Sequence, residues 1–153
     1  MHSILFTLIL LLCSALLSCE EGTFLEERPL KVRFLDVGQG LSVLFEYEGR
    51  FALWDTGPDS IGFVDTLKHY GVDSLEWVVL SHWHRDHVGG FLEFPSAIKN
   101  RELFVKKVFF TNDTAYGFVS DSVFSILDEF GLNNDTIYRG DSLFFASGWH
   151  FQI

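Results

Sequence analysis

The amino-acid sequence predicts an α/β sandwich, in which antiparallel strands come first and strands then alternate with helices. Its hydrophobic content of 48%, with 17 Phe among 153 residues, is typical of one globular domain with a substantial core. Two short alternating runs around Gly38-Gln39-Gly40 predict an opening hairpin. The uninterrupted apolar run at 77–80 predicts a strand buried on both faces, as in a sheet covered by other layers.

Strands are predicted where short apolar or alternating runs lie between turn residues. In chain order they cover residues 31–37, 42–48, 51–55, 77–80, 106–111, 143–146 and 149–153, the last two forming a hairpin around Ser147-Gly148. Helices are predicted where apolar residues recur every three or four positions. They cover residues 61–70, with the face Ile61, Val64, Leu67 and Tyr70, residues 91–100, and residues 120–130, with the face Val123, Phe124, Leu127 and Phe130. Gly71 and Gly131 are the expected helix stops.

The first nineteen residues predict a signal peptide. Residues 4–17 are nearly all apolar, and small residues follow at Ser18 and Cys19. The run is short for a membrane-spanning helix, which needs about 20 apolar residues; the alternative is a buried core helix. Because Leu16-Leu17-Ser18-Cys19 resembles a bacterial lipobox, we expect Cys19 to become a lipidated N-terminus, with the protein exported and anchored at the cell envelope, or secreted. Residues 20–30 then form a linker, and the domain covers residues 31–153.

The charge and cysteine content exclude some functional classes. The formal net charge is −10, and the densest basic group is the pair Lys106 and Lys107, so a nucleic-acid partner is disfavoured. Both cysteines, Cys13 and Cys19, lie in the signal segment, which leaves the domain no disulfide framework.

A cluster of metal-ligand side chains follows the strand predicted at 77–80. Three of the six histidines and one aspartate fall within six positions, as His82, His84, Asp86 and His87. Imidazole and carboxylate are the donors that zinc accepts. Because His82 and His84 are two apart in extended backbone, both point to one side and can hold one ion, while Asp86 and His87 follow a bend. The alternative is a solvated polar loop. His69 is predicted on a helix surface, and His150 in a strand with a structural role.

The string H-x-H-x-D-H followed by Gly89-Gly90, with Asp55-Thr56-Gly57 at an earlier strand end, resembles the metallo-β-lactamase superfamily. The segment from Phe34 to Gly40 is similar to the competence-related ComEC/Rec2 branch, which often has Asp where this chain has His84. The resemblance covers residues 31–153, about the first half of the family's fold. It implies a four-layer αβ/βα sandwich with the metals in a groove at one edge.

The resemblance also implies roles for the site residues. His82 and His84 would bind a first zinc ion, Asp86 and His87 a second, and Asp55 would accept hydrogen bonds that orient the histidine loop; the alternative for Asp55 is a turn residue. The two ions would activate water for hydrolysis of an unknown small-molecule, ester or phosphodiester substrate, with Asp86 orienting the nucleophile or passing on its proton.

The family's later ligands are expected beyond His87, where this sequence offers only His150. We therefore expect the protein to continue past Ile153, and this chain to bind metal with a partial shell and to lack robust hydrolase activity. Two alternatives remain open. One is a non-catalytic or decayed binding domain that keeps the fold, and the other is competence-related nucleic-acid processing.

Overall fold

The computed structural model describes residues 29–112, 117–145 and 149–153. The predicted signal peptide at 1–19, with Cys19, and positions 20–28 of the predicted linker lie outside the described residues, as does the Ser147-Gly148 turn. Within the described ranges, no helix has the length and apolar character needed to cross a bilayer.

A seven-stranded sheet forms the centre of the described structure. Its antiparallel part consists of β1 (Lys31–Phe34), β2 (Val43–Tyr47) and β3 (Arg50–Trp54). Its parallel part continues from β3 through β4 (Ser74–Leu80), β6 (Val108–Thr111) and β7 (Asn134–Ile137), with the short β5 (Phe104–Val105) also paired to β4. The predicted opening hairpin is therefore confirmed, and the structure adds that the later strands pair in parallel.

The helices pack on one face of this sheet. They are α1 (Phe63–His69), α2 (Arg85–Val88), a 3-10 helix (Gly89–Glu93), α3 (Phe94–Lys99) and α4 (Phe118–Glu129). Phe63, Phe91 and Phe94 are fully buried in the core on this face, together with Leu53 and Leu80 of the sheet. The burial of these large apolar side chains supplies the main force that holds helices to sheet.

A two-stranded sheet covers the opposite face. It consists of β8 (Ser142–Phe145) and β9 (Trp149–Gln152), which pair antiparallel as predicted. Phe145 of β8 packs against Trp77 of β4, with ring centroids 5.9 Å apart, and Val79 of β4 joins the same core. Because β4 contributes side chains to both cores, it is buried on both faces, as its apolar run predicts. The predicted α/β sandwich is confirmed.

The sequence interpretation was wrong about the buried face of α1, and it missed the strands β5 and β7. The buried face of α1 is Phe63 and Leu67, whereas Ile61 and Tyr70 are 40% and 38% exposed because they lie outside the helix ends. The strand β7 was not predicted, because its sequence Asn-Asp-Thr-Ile is polar. It pairs only with β6 among the described strands, so one side of it carries no neighbouring strand and little apolar character is required.

Candidate metal centre

The two sequence motifs meet at one edge of the sheet. Asp55 directly follows β3, and the histidine cluster begins directly after β4. Because β3 and β4 are parallel, their carboxyl ends lie side by side, which is the usual place for a site in such sheets. The backbone amide of Asp55 donates to the carbonyl of Val79 at 2.8 Å, which fixes the two strand ends together.

The three histidine rings of the cluster lie together. The ring centroid of His82 is 4.5 Å from that of His84 and 4.1 Å from that of His87. His84 has an extended backbone, so it shares a side with His82, and the helical turn α2 then brings His87 back toward His82. Asp86, with a side chain 45% exposed, has a carboxylate oxygen 3.9 Å from Nε2 of His87. All four predicted ligand residues are therefore neighbours.

Asp55 lies beneath these rings and is fully buried. Its Oδ1 accepts a hydrogen bond from the backbone amide of Ser81 at 2.7 Å, and its Oδ2 accepts one from the Ser81 hydroxyl at 2.6 Å. Nδ1 of His87 lies 2.8 Å from the same Oδ2. Asp55 has a φ of 58°, a left-handed conformation that Asp adopts more readily than most residues. The structure thus places Asp55 as the hydrogen-bond acceptor beneath the histidine loop.

His82 is suited to act as a neutral donor. Burial, followed by the neighbouring His87 and His84 imidazoles, lowers its pKa below the usual value. A histidine with a lowered pKa is unprotonated at neutral pH, and only the neutral ring has a lone pair for a metal ion. The environment of the cluster therefore favours the ligand form of His82.

The loop that carries the histidines is held by close backbone contacts. The Thr56 amide donates to the His87 carbonyl at 2.6 Å, and the Thr56 hydroxyl accepts a hydrogen bond from the Phe91 amide at 3.0 Å. A side chain at Gly90 would collide with the Thr56 carbonyl oxygen, so this approach requires glycine. These contacts fix the spacing between the two motifs.

An ion pair between Arg85 and Asp59 holds the outer part of the histidine loop. Nε of Arg85 donates to Oδ1 of Asp59 at 2.7 Å, and its Nη2 donates to Oδ2 of the same carboxylate. The Arg85 guanidinium lowers the pKa of Asp59 below its usual range. This two-point contact ties the histidine loop to the loop that follows Asp55.

Three observations describe the surroundings of the histidine cluster. Among residues 29–112, 117–145 and 149–153, no group of three or more His, Cys, Asp or Glu side chains is arranged to hold one ion. His150 lies on β9 of the other sheet, where its ring contacts Phe144. Two clefts of about 440 and 480 Å³ are lined by other residues. Within the described residues, the side chains of the cluster do not by themselves surround one ion.

Sequence reasoning missed two residues that support the cluster. The Ser81 hydroxyl contacts both Asp55 and Nδ1 of His82. The hydroxyl of Thr111, at the carboxyl end of β6, donates to the Ser81 carbonyl at 2.5 Å. The available signal was a hydroxyl residue directly before the first histidine of the motif.

Comparison with known families agrees with this geometry. Residues 35–110, which include Asp55 and the whole histidine cluster, match the model of the metallo-β-lactamase superfamily. The chain belongs to this superfamily. Metallo-β-lactamase superfamily proteins generally bind metal ions, usually zinc.

Curated relatives support the competence-related ComEC/Rec2 branch for this metallo-β-lactamase domain. The chain is 44% identical over 68 residues to Competence protein ComA of Neisseria gonorrhoeae, a match that covers 42% of this chain and 10% of that protein. It is 35% identical over 102 residues to Recombination protein 2 of Haemophilus influenzae, covering 62% of this chain and 12% of that protein. The matches span about a tenth of the length of these relatives.

The solved structures that this chain resembles are more distant in sequence. A diphosphatase from the PhnP family shares 18% identity and a TM-score of 0.43, over 70% of this chain and 40% of that one. The mono-zinc form of the metallo-β-lactamase FIM-1 from Pseudomonas aeruginosa shares 16% identity and a TM-score of 0.40, over 74% and 48% of the two chains. The family assignment rests on the sequence matches.

Proposed function

We propose that this chain contributes part of the metal centre of a zinc-dependent hydrolase with an unknown substrate. The observation that carries the proposal is the contact of three imidazole rings, His82, His84 and His87, above the buried carboxylate of Asp55. Clusters of imidazoles with a buried carboxylate partner are the usual arrangement of histidine ligands and their supporting group.

The donor chemistry fits zinc, and the proposed ligands divide into two pairs. His82 and His84 would hold one ion, and Asp86 and His87 a second. When bound, zinc ions lower the pKa of water and polarise the bond under attack. Asp86 is the proposed catalytic residue, because its 45% exposed carboxylate can orient a water molecule or accept its proton. Asp55 is buried away from solvent and therefore orients His87.

The fit is incomplete in the described residues, since no three donors are set around one ion. We therefore propose that the described residues bind zinc weakly and that efficient turnover requires ligands other than these residues. A generic phosphodiester or ester would then be hydrolysed slowly or not at all by this chain alone.

Competence-related nucleic-acid processing is a second candidate, favoured by the names of the two curated relatives. The net charge of −10 opposes binding of a polyanion. The third candidate, a decayed domain that keeps the fold, predicts no zinc binding by the histidine cluster. A measurement of zinc affinity therefore separates the zinc-dependent hydrolase from the decayed domain. Binding of single-stranded DNA at physiological salt would support nucleic-acid processing.

The proposed function predicts zinc binding that depends on the cluster. We expect His84→Ala to weaken zinc binding by at least about tenfold, because loss of even a residue that only supports a ligand costs roughly 10–100-fold. The measurement is a zinc titration of the metal-free chain at neutral pH, in competition with a chromophoric chelator. Cys13 and Cys19 are replaced by serine in all samples, since thiolates also bind zinc.

The matched control is His69→Ala. His69 is the last residue of α1, and its ring contacts Tyr70 rather than the cluster. It should leave zinc affinity unchanged. Equal affinities for the parent chain, His84→Ala and His69→Ala would contradict the proposed function.

A further inference from the structure

The hydroxyl of Ser81 lies between the buried carboxylate and the first histidine of the cluster. Its Oγ is 2.6 Å from Oδ2 of Asp55 and 3.0 Å from Nδ1 of His82. The backbone of Ser81 is fixed on both sides, because its amide donates to Oδ1 of Asp55 and its carbonyl accepts from the Thr111 hydroxyl. The hydroxyl is therefore held between its two partners.

Counting donors and acceptors decides the direction of both contacts. A serine hydroxyl carries one hydrogen, and in the 2.6 Å contact the Ser81 hydroxyl is the donor and the Asp55 carboxylate the acceptor. The Ser81 hydrogen therefore goes to Asp55, and the Ser81 oxygen accepts from Nδ1–H of His82. With Nδ1 protonated in the neutral ring, the lone pair of His82 lies on Nε2.

The same carboxylate acts directly on His87. Oδ2 of Asp55 lies 2.8 Å from Nδ1 of His87, so this nitrogen also carries a hydrogen, and in the neutral ring the lone pair lies on Nε2. The His82 and His87 rings are neighbours, with centroids 4.1 Å apart. The buried carboxylate of Asp55 therefore determines the tautomers of both rings. His87 contacts the Asp55 carboxylate directly, whereas His82 is linked to it through the Ser81 hydroxyl.

We propose that Ser81 is a positioning residue that connects the Asp55 carboxylate to His82 through two hydrogen bonds. Through this relay, both His82 and His87 offer Nε2 as the donor atom. The consequence for zinc rests on the proposed function. The tautomer of His82 does not, because it is a property of the metal-free protein. Ser81 touches neither substrate nor metal in this proposal and acts only through His82.

The test measures the tautomers directly. The metal-free full chain, with isotope-labelled histidine, is examined by long-range proton–nitrogen correlation NMR about two units above the usual imidazole pKa of about 6.5. We expect His82 to be the Nδ1–H tautomer in the parent chain. In Ser81→Ala we expect it to shift toward the Nε2–H form that free histidine prefers, while His87 stays unchanged. The preserved His87 signal also reports that the variant is folded.

Ser81→Thr is the matched control, since it keeps the hydroxyl and should restore the Nδ1–H tautomer of His82. In zinc titrations, Ser81→Ala should weaken binding by roughly tenfold and Ser81→Thr by much less. An Nε2–H tautomer in the parent chain, or an Nδ1–H tautomer that survives Ser81→Ala, would overturn the relay. If the tautomers behave as expected and zinc does not bind, the proposed function fails while the relay stands.

Discussion

Replacement of Asp55 by alanine is expected to lower the free energy of unfolding by about 3 kcal/mol. The buried carboxylate accepts from the amide and the hydroxyl of Ser81 and contacts Nδ1 of His87. Its removal leaves these polar groups without their partner at a position that is fully buried. The measurement is urea unfolding of the metal-free chain at neutral pH. An unchanged slope of the free energy of unfolding against urea concentration would show that only the stability has changed.

Asp59→Ala is the control for this prediction. Asp59 lies four residues further on, but its partner Arg85 is 61% exposed, and exposed ion pairs contribute less than about 1 kcal/mol. We therefore expect Asp59→Ala to unfold near the parent midpoint. If both variants lose the same stability, Asp55 has no special structural role beneath the histidine loop.

Gly90→Ala is expected to lower the free energy of unfolding by a similar amount, about 3 kcal/mol, for a steric reason. A methyl group at this position would collide with the carbonyl oxygen of Thr56 and would lie 2.9 Å from the Phe63 ring. Because the first obstacle is backbone, the loop from Asp55 to Gly57 must move. Zinc affinity should fall together with stability, since the same loop carries Asp55.

Gly117→Ala is the matched control for Gly90→Ala. A methyl group at Gly117 meets no atom within 4 Å, and its backbone is extended, so alanine fits without strain. The expected loss is smaller, about 1 kcal/mol or less, because Gly117 precedes the first turn of α4, where alanine is a poor cap. Thermal unfolding of the two variants tests the difference. Equal melting temperatures would show that the approach of the two loops does not require glycine.

Features that depend on neighbours in the chain could be predicted from the sequence. The proximity of His82, His84 and His87 follows from their spacing after one strand, and the burial of β4 follows from its apolar run. The meeting of Asp55 with the histidines was expected only through the family resemblance, because their chain separation says nothing about parallel pairing of β3 and β4. The structure supplies that pairing.

Features set by long-range contacts could not be predicted. The register of α1 is fixed by Phe63, which stacks on Phe94 with ring centroids 6.3 Å apart, so the helix turns Phe63 and Leu67 inward. Periodicity alone selected Ile61 and Tyr70. The contact of Ser81 with Asp55 joins residues 26 positions apart and depends on the exact end of β4.

The central claim is that the imidazoles of His82, His84 and His87 bind zinc. X-ray absorption at the zinc edge of the zinc-loaded chain, with both cysteines present, tests it most directly. We predict a shell of nitrogen and oxygen donors at about 2.0–2.1 Å with imidazole scattering, which weakens in His82→Ala/His84→Ala because only His87 of the three imidazoles remains. A sulfur shell at about 2.3 Å, from Cys13 and Cys19, or a spectrum unchanged in the double variant, would contradict the claim.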